Sequence, residues 1–110
     1  MNAETFRALL DIAENDVAVL KEKGASYGDS WKSRGGVGAF MMLARKWDRL
    51  EVAAKRETYD IFNAAVRDGR PEGVLDDIAD LRRYLLLVEN EVRKTIGEGE
   101  MKSYVDQDAG

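Results

Sequence analysis

The stretch EGVLDDIADLRRYLLLVENEVRKTI, residues 72–96, decides the fold because it is the longest helical pattern in the chain. Its apolar residues recur at spacings of three and four, which is the period of an amphipathic α-helix. They are Val74, Ile78, Leu81, Leu85, Val88, Val92 and Ile96. Pro71 stands where a helix tolerates proline best, in its first turn. The stretch therefore predicts a helix over about 72–96 with one buried face.

Three further helices are predicted upstream, over about 3–23, 37–55 and 57–68. Their apolar stripes are Phe6, Leu9, Leu10, Ala13, Val17 and Leu20; Phe40, Leu43, Trp47, Leu50 and Ala54; and Tyr59, Phe62 and Val66. No segment alternates like a strand. We expect an all-α bundle of three long helices and one short one, formed by residues 1–97. Residues 98–110 are predicted to be a polar, mobile tail.

Composition limits the chemistry available to this chain. Its 110 residues fit one domain, with 45% hydrophobic residues, 35% charged residues and a net charge of −4. Such a charge balance argues against a binder of duplex nucleic acid. The chain has no cysteine and no histidine, which excludes disulfides, thiolate chemistry and the usual zinc ligands. Any metal is expected to be a hard ion held by carboxylates, Mg²⁺ or Mn²⁺.

Location and assembly can also be predicted. No apolar run approaches the roughly 20 residues of a membrane span, and no signal peptide is recognisable. We therefore expect a cytoplasmic protein that does not enter a membrane.

A domain this small buries limited area, and apolar residues lie outside its main stripes. These are Met41, Met42, Ala44, Leu86 and Leu87. We predict a homodimer or a higher homo-oligomer.

Two carboxylate pairs lie on the two best-defined helices. They are Asp48 with Glu51, and Asp77 with Asp80; each pair is spaced three apart and so shares one side of its helix. Glu51 is predicted to lie roughly 60° from the centre of its apolar stripe. Packed antiparallel, the helices would bring the pairs together, where a cation such as Mg²⁺ would relieve their repulsion. The alternative is a solvated boundary, with the aspartates meeting a helix dipole.

The segment YGDSWKSRGGVGAF, residues 27–40, combines cations, glycines and aromatic residues. Lys32, Arg34, Gly35 and Gly36 precede the N-terminal part of the second helix, where free N–H groups favour anions. Tyr27 and Trp31 are candidates either to stack on a base or to fill the core. Lys46 and Arg49 are candidates either to hold phosphate or to pair with Asp77, Asp80 or the acids of another helix.

A family resemblance is carried by three groups of residues. They are Lys23 with Tyr27-Gly28-Asp29-Ser30-Trp31, then Lys46-Trp47-Asp48-Arg49, then Asp77-Ile78-Ala79-Asp80 with Tyr84. Over about residues 4–95 the chain resembles the nucleotide-modification-associated domain common in phages. That domain is similar to the MazG-like nucleoside triphosphate pyrophosphohydrolases. The resemblance implies the cytoplasm of a host cell as the location if the protein comes from a phage.

The resemblance implies a metal-dependent pyrophosphohydrolase that splits an NTP or dNTP into the monophosphate and pyrophosphate. Asp48, Glu51, Asp77 and Asp80 would bind Mg²⁺ or Mn²⁺, with Glu51 and Asp80 as catalytic residues. The nucleotide would be bound by Lys23, Tyr27, Trp31, Lys32, Arg34, Lys46, Arg49 and Tyr84. Two aspartates stand where the MazG-like pattern has glutamates. The alternatives are a non-catalytic protein that sequesters a cyclic nucleotide signal of host defence, and a helical interaction module.

Overall fold

The computed structural model of the protein describes residues 1–24, 30–70 and 73–98. Within them the chain forms α1 (Ala3–Glu22), a 3-10 turn (Ser30–Lys32), α2 (Gly35–Lys55), α3 (Ile61–Arg67) and α4 (Val74–Gly97), and no strand. The all-α prediction is confirmed, with three long helices and one short one. No helix in the described part of the chain combines the length and apolarity needed to cross a bilayer.

Side-chain caps fix two of the helix starts. Asn2 accepts a hydrogen bond from the backbone N–H of Thr5 at 2.9 Å, and Asp60 accepts one from Asn63 at 3.0 Å. The predicted start of the short helix at 57 is wrong, because Thr58 and Tyr59 adopt left-handed φ angles of 55° and 66°. These two residues form the corner that turns the chain from α2 into α3.

The main core lies where α2, α3 and α4 meet. Leu50, Ala53, Ala64 and Val74 are buried there, and Ile61, Ile78 and Leu81 pack against them. The predicted buried face of α4 is therefore confirmed in its N-terminal half. Towards the C-terminus, Leu85, Val92 and Ile96 are nearly half exposed. In α3 the predicted Phe62 and Val66 are exposed, because the helix turns Ala64 and Ile61 inwards instead.

The buried face of α2 differs from the predicted stripe. Ala39, Leu50 and Ala53 are buried, whereas Phe40 and Trp47 are 68% and 56% exposed. At 100° per residue, this corresponds to a rotation of roughly 70° from the predicted centre. The large side chains misled the prediction, because the small alanines are what let α2 approach its neighbours closely.

Helix α1 contacts α4 near the C-terminal end of α1, where Asp16 is buried and Val19 and Leu20 are half-buried. The rest of its predicted apolar stripe is exposed to solvent in the single chain. Phe6, Leu9, Leu10 and Val17 are each between 48% and 55% exposed. No described residue of the same chain reaches this stripe closely enough to bury it.

Candidate functional site

Ion pairs join α2, and the turn before it, to α4. The three pairs are Arg49–Asp77 at 3.1 Å, Lys46–Asp80 at 3.3 Å and Lys32–Glu91 at 3.2 Å. The residue numbers rise on one side and fall on the other, so α2 and α4 run antiparallel. All three cations lie on the α2 side and all three acids lie on α4. This row of ion pairs fixes the register of the two helices. Pairing of Lys46 and Arg49 with Asp77 and Asp80 was one of the alternatives predicted from the sequence.

Asp77 is the most deeply buried of the predicted metal ligands. Its side chain is 2% exposed, and its two carboxylate oxygens pair separately with Arg49 and Arg70. Arg70 donates from one terminal nitrogen to Asp77 at 3.0 Å. Two guanidinium groups therefore compensate a carboxylate that would otherwise be costly to bury.

Asp80 lies one turn further along α4, beside Tyr84. The Lys46 ammonium donates to Asp80 at 3.3 Å and lies 5.6 Å from the centre of the Tyr84 ring. Burial raises the pKa of the Tyr84 phenol, and the Asp80 charge raises it further. The phenol is therefore kept neutral beside an anion, and Lys46 contacts both groups.

The first carboxylate pair points away from this interface. Asp48 and Glu51 are exposed, and both lie well round α2 from the buried Ala39, Leu50 and Ala53. No three carboxylates among the described residues gather closely enough to hold a metal ion. The described side chains therefore do not fit Mg²⁺ or Mn²⁺ as arranged, and the four-carboxylate site stays a prediction.

A cleft of about 540 Å³ lies between the N-terminal part of α2 and the C-terminal part of α4. Its walls are mainly apolar, and a lysine, a glutamate and two glycines stand at its edge. The lining residues are Trp31, Lys32, Gly35, Gly36, Ala39, Phe40, Leu43, Val88, Glu91, Val92, Thr95 and Ile96. None of the four predicted metal ligands lines it.

The start of α2 brings backbone donors to the edge of this cleft. Arg34 occupies the cap position, but its side chain makes no capping hydrogen bond. The first N–H groups of a helix have no partner within it, so they are available to an anion. Gly35 has a φ of 72°, which favours glycine, and a Cβ on Gly38 would lie 2.7 Å from that of Arg34. Gly36 has no such constraint, since its Cβ would meet open space.

Trp31 and Lys32 form the end of the cleft next to α2. Trp31 is buried, and the Lys32 ammonium lies 5.9 Å from the centre of its ring. The same ammonium donates to Glu91 at 3.2 Å. Trp31 is thus a buried part of the cleft wall, which agrees with the prediction that it fills the core. Lys32 places a positive charge at the rim of the cleft.

The remaining predicted ligands lie elsewhere. Lys23 and Arg34 are exposed and do not line the cleft. Tyr27 lies outside the described residues, so its predicted role stays a prediction.

Sequence reasoning missed the buried carboxylate of α1. Asp16 accepts hydrogen bonds from Arg82 at 2.7 Å and from Arg83 at 3.0 Å, and only 1% of its side chain is exposed. The hydrogen bond from Arg82 is the main cause that lowers the pKa of this carboxyl below its ordinary value of 3.8. An available signal was that Asp16 borders the apolar stripe of α1, where an acid needs a cationic partner.

Comparison of the chain with protein-family models, with curated proteins and with solved structures gave no significant match. The resemblance to the nucleotide-modification-associated domain therefore stays a prediction from the residues that carry it.

Proposed function

We propose that this protein binds a nucleotide in the cleft beside Trp31, and that binding requires no metal ion. The observation that carries this proposal is that an uncapped helix start opens, beside Lys32, onto a cleft with apolar walls. Pockets for small ligands combine such walls with a few fixed polar groups. A nucleotide has the matching parts, a flat base and an anionic phosphate.

The base is placed against the apolar walls, where Phe40 and Leu43 lie opposite Val88. The phosphate is placed at the rim, where the N–H groups of Gly35 and Gly36 can donate to it. Lys32 would then exchange part of its interaction with Glu91 for the phosphate oxygens. Because the nearby glycines carry no side chain, a phosphate can approach the backbone closely.

Independence from metal follows from how the carboxylates are used. Asp77 and Asp80 are paired with Arg49, Arg70 and Lys46, so cations of the protein already offset their charge. Asp80 lies eleven residues from Glu91, or roughly 16 Å along α4 at 1.5 Å per residue. The cleft therefore lies beside Asp77 and Asp80 along α4, but these two carboxylates are not part of the same pocket.

Replacing Gly36 by alanine separates ligand binding from folding. We expect Gly36→Ala to weaken nucleotide binding at least tenfold, because the new methyl group obstructs the phosphate. Its melting temperature should equal or exceed that of the wild type, since the methyl group meets open space and alanine favours helices. Titration calorimetry with cyclic and linear nucleotides, each with and without EDTA, measures the affinity.

Gly24→Ala is the control, since Gly24 is also free of close neighbours and lines neither the cleft nor the pocket at the other end of α2. Metal-independent affinity that is lost only in Gly36→Ala supports the proposal. Equal affinity in both variants, or no binding by the wild type, contradicts it and leaves the helical interaction module.

The pyrophosphohydrolase is the second candidate. It is favoured by the position of Asp77 and Asp80 on the side of α4 that faces α2, and by the 34% exposure of the Asp80 side chain. In the same experiment, release of pyrophosphate from dNTPs with Mg²⁺ or Mn²⁺, abolished by Asp80→Asn, would support it. Binding without product favours sequestration of a nucleotide signal.

We also propose that the protein is a homodimer or a higher homo-oligomer, with the α1 stripe as its contact surface. The α1 stripe consists of Phe6, Leu9, Leu10, Ala13, Val17 and Leu20. It is continuous, and the acids Glu4, Asp11 and Glu22 occupy the opposite side of the helix. A single chain leaves most of it in water, at a cost of about 25 cal/mol per Å² of apolar surface. The main core of one chain is small, so burial between copies would add substantially to it.

Leu10→Glu should shift the protein to the monomer mass of 12.3 kDa, because it places a charge in the middle of the α1 stripe. Ala18→Glu is the control, with the same change of charge on the exposed opposite side of α1. Light scattering coupled to size exclusion measures both masses. A monomeric wild type, or dissociation of both variants alike, contradicts the proposal.

A further inference from the structure

A second pocket, of about 260 Å³, lies at the opposite end of α2 from the cleft. Three arginines from three parts of the chain line it. Arg56 follows α2, Arg67 ends α3, and Arg70 lies in the segment before α4. Glu57 and Asp68 also line it, and Ala53 and Ala64 are the small apolar residues of its lining.

Arg70 is held in position by two carboxylates. Its Nε and one terminal nitrogen donate to Asp68 at 3.0 and 2.7 Å, and the same terminal nitrogen donates to Asp77 at 3.0 Å. Its other terminal nitrogen makes no hydrogen bond with the described residues. Hydrogen bonds from Arg70 hold the pKa of Asp68 well below its ordinary value, so this carboxylate stays charged. The guanidinium group is thus oriented before any ligand arrives.

The other two arginines are less engaged. Among the described residues Arg56 has no ion-pair partner, and Arg67 approaches Glu57 only to 3.9 Å. That distance is too long for a hydrogen bond. Their positive charges are therefore available to a ligand in the pocket.

Helix dipoles account for part of this pattern, because cations favour the C-terminal ends of helices, where Arg56 and Arg67 lie. They do not account for Arg70, which lies on the N-terminal side of α4. Helix dipoles also do not explain why all three arginines line the same pocket. The corner at Thr58 and Tyr59 brings α3 back towards the end of α2, and its left-handed backbone costs free energy for residues with side chains.

We propose that this pocket binds a small tetrahedral oxyanion, namely phosphate or the phosphate group of a phosphomonoester. Guanidinium groups match such oxygens in charge and geometry. The site is separate from the nucleotide cleft, since Leu43 of the cleft and Ala53 of the pocket are about 15 Å apart along α2 at 1.5 Å per residue.

The test uses the full chain and the double variant Arg56→Gln/Arg67→Gln. Inorganic phosphate is titrated by calorimetry, with ribose 5-phosphate as a phosphomonoester without a base and sodium chloride as the ionic-strength reference. We expect phosphate or ribose 5-phosphate, but not chloride, to bind the wild type, and the double variant to bind at least tenfold more weakly. The stronger of the two ligands shows whether free phosphate or a phosphomonoester is the source.

Lys21→Gln/Lys55→Gln is the matched control, because it also removes two cations from last helical turns. It should bind as the wild type does. Equal loss in both double variants would show a general charge effect and overturn the proposal. The same holds if phosphate and ribose 5-phosphate bind no better than chloride. The double variant leaves Lys32, Gly35 and Gly36 of the nucleotide cleft unchanged, so a loss of phosphate binding in it reports on the pocket of the three arginines.

Discussion

Asp77→Asn is expected to lower the free energy of unfolding by about 3 kcal/mol, the largest effect of any single substitution proposed for this chain. The asparagine keeps the shape of the side chain but removes the charge that Arg49 and Arg70 share. Both guanidinium groups would then face an uncharged amide at a buried position. They are partly exposed and can turn towards water, which keeps the loss near the lower end for a broken buried pair. Urea denaturation monitored by circular dichroism measures it.

Asp76→Asn is the control for this experiment. Asp76 lies in the same first turn of α4 but is exposed, so the interaction with the helix dipole is similar in the two variants. The sign of the effect also distinguishes two roles for Asp77. An unloaded metal site is relieved by losing one of its repelling carboxylates, so Asp77→Asn would then stabilise the metal-free protein. Such stabilisation would contradict a structural ion pair.

Asp16→Asn is expected to cost about 2 kcal/mol and to release α1 from α4. Asp16 is the buried residue of α1, and it joins the helix to Arg82 and Arg83 of α4. Without its charge, the half-buried Val19 and Leu20 are the main apolar residues left at that contact. Hydrogen exchange should therefore show faster exchange in α1 than in α2 or α4. Asp11→Asn, which removes an exposed i,i+4 pair with Arg7, should change little.

The ion pair of Asp16 with Arg82 and Arg83 also makes the folding stability depend on pH, and stability falls as the solution becomes acidic. The Asp16 pKa is lowered on folding, mainly by the hydrogen bond from Arg82, so the charged form stabilises the folded state. This contribution is fully present above the ordinary pKa of 3.8 and is lost as the pH falls through the lower folded value. The stability difference between wild type and Asp16→Asn should be constant from pH 5 to 8 and shrink below pH 4. A difference that grows on acidification would contradict this role.

The helices were predictable because their apolar periods are long and their ends carry local signals. The predicted ranges for α1, α2 and α4 differ from the observed ones by two residues or fewer at each end. Which side of α2 is buried was not predictable from hydrophobicity, since Phe40 and Trp47 outweigh Ala39 and Ala53 in any apolar pattern. Burial there depends on how closely two helices approach, which is a property of the packed pair.

The rotation of α2 decides which of the predicted site residues face α4. Once α2 is rotated, Lys46 and Arg49 face α4, while Asp48 and Glu51 turn towards water. Pairing of the two cations with Asp77 and Asp80 was one of the alternatives open from the sequence, and it is confirmed. A cluster of Asp48 and Glu51 with Asp77 and Asp80 would require α2 to be rotated about its axis so that its first two carboxylates faced α4. Trp31, Lys32, Gly35 and Gly36 share the cleft because they are adjacent in sequence, so their proximity did not depend on helix packing.

The glycine run at the start of α2 has a consequence for natural variation. Selection for folding alone is enough to keep Gly35, for its backbone angle, and Gly38, for its close neighbour. Neither reason applies to Gly36, so mutational drift would replace it freely in a lineage that had abandoned the cleft. Related proteins that keep Gly35 and Gly38 but carry another residue at the position of Gly36 would therefore be those that retain the fold but have lost the ligand.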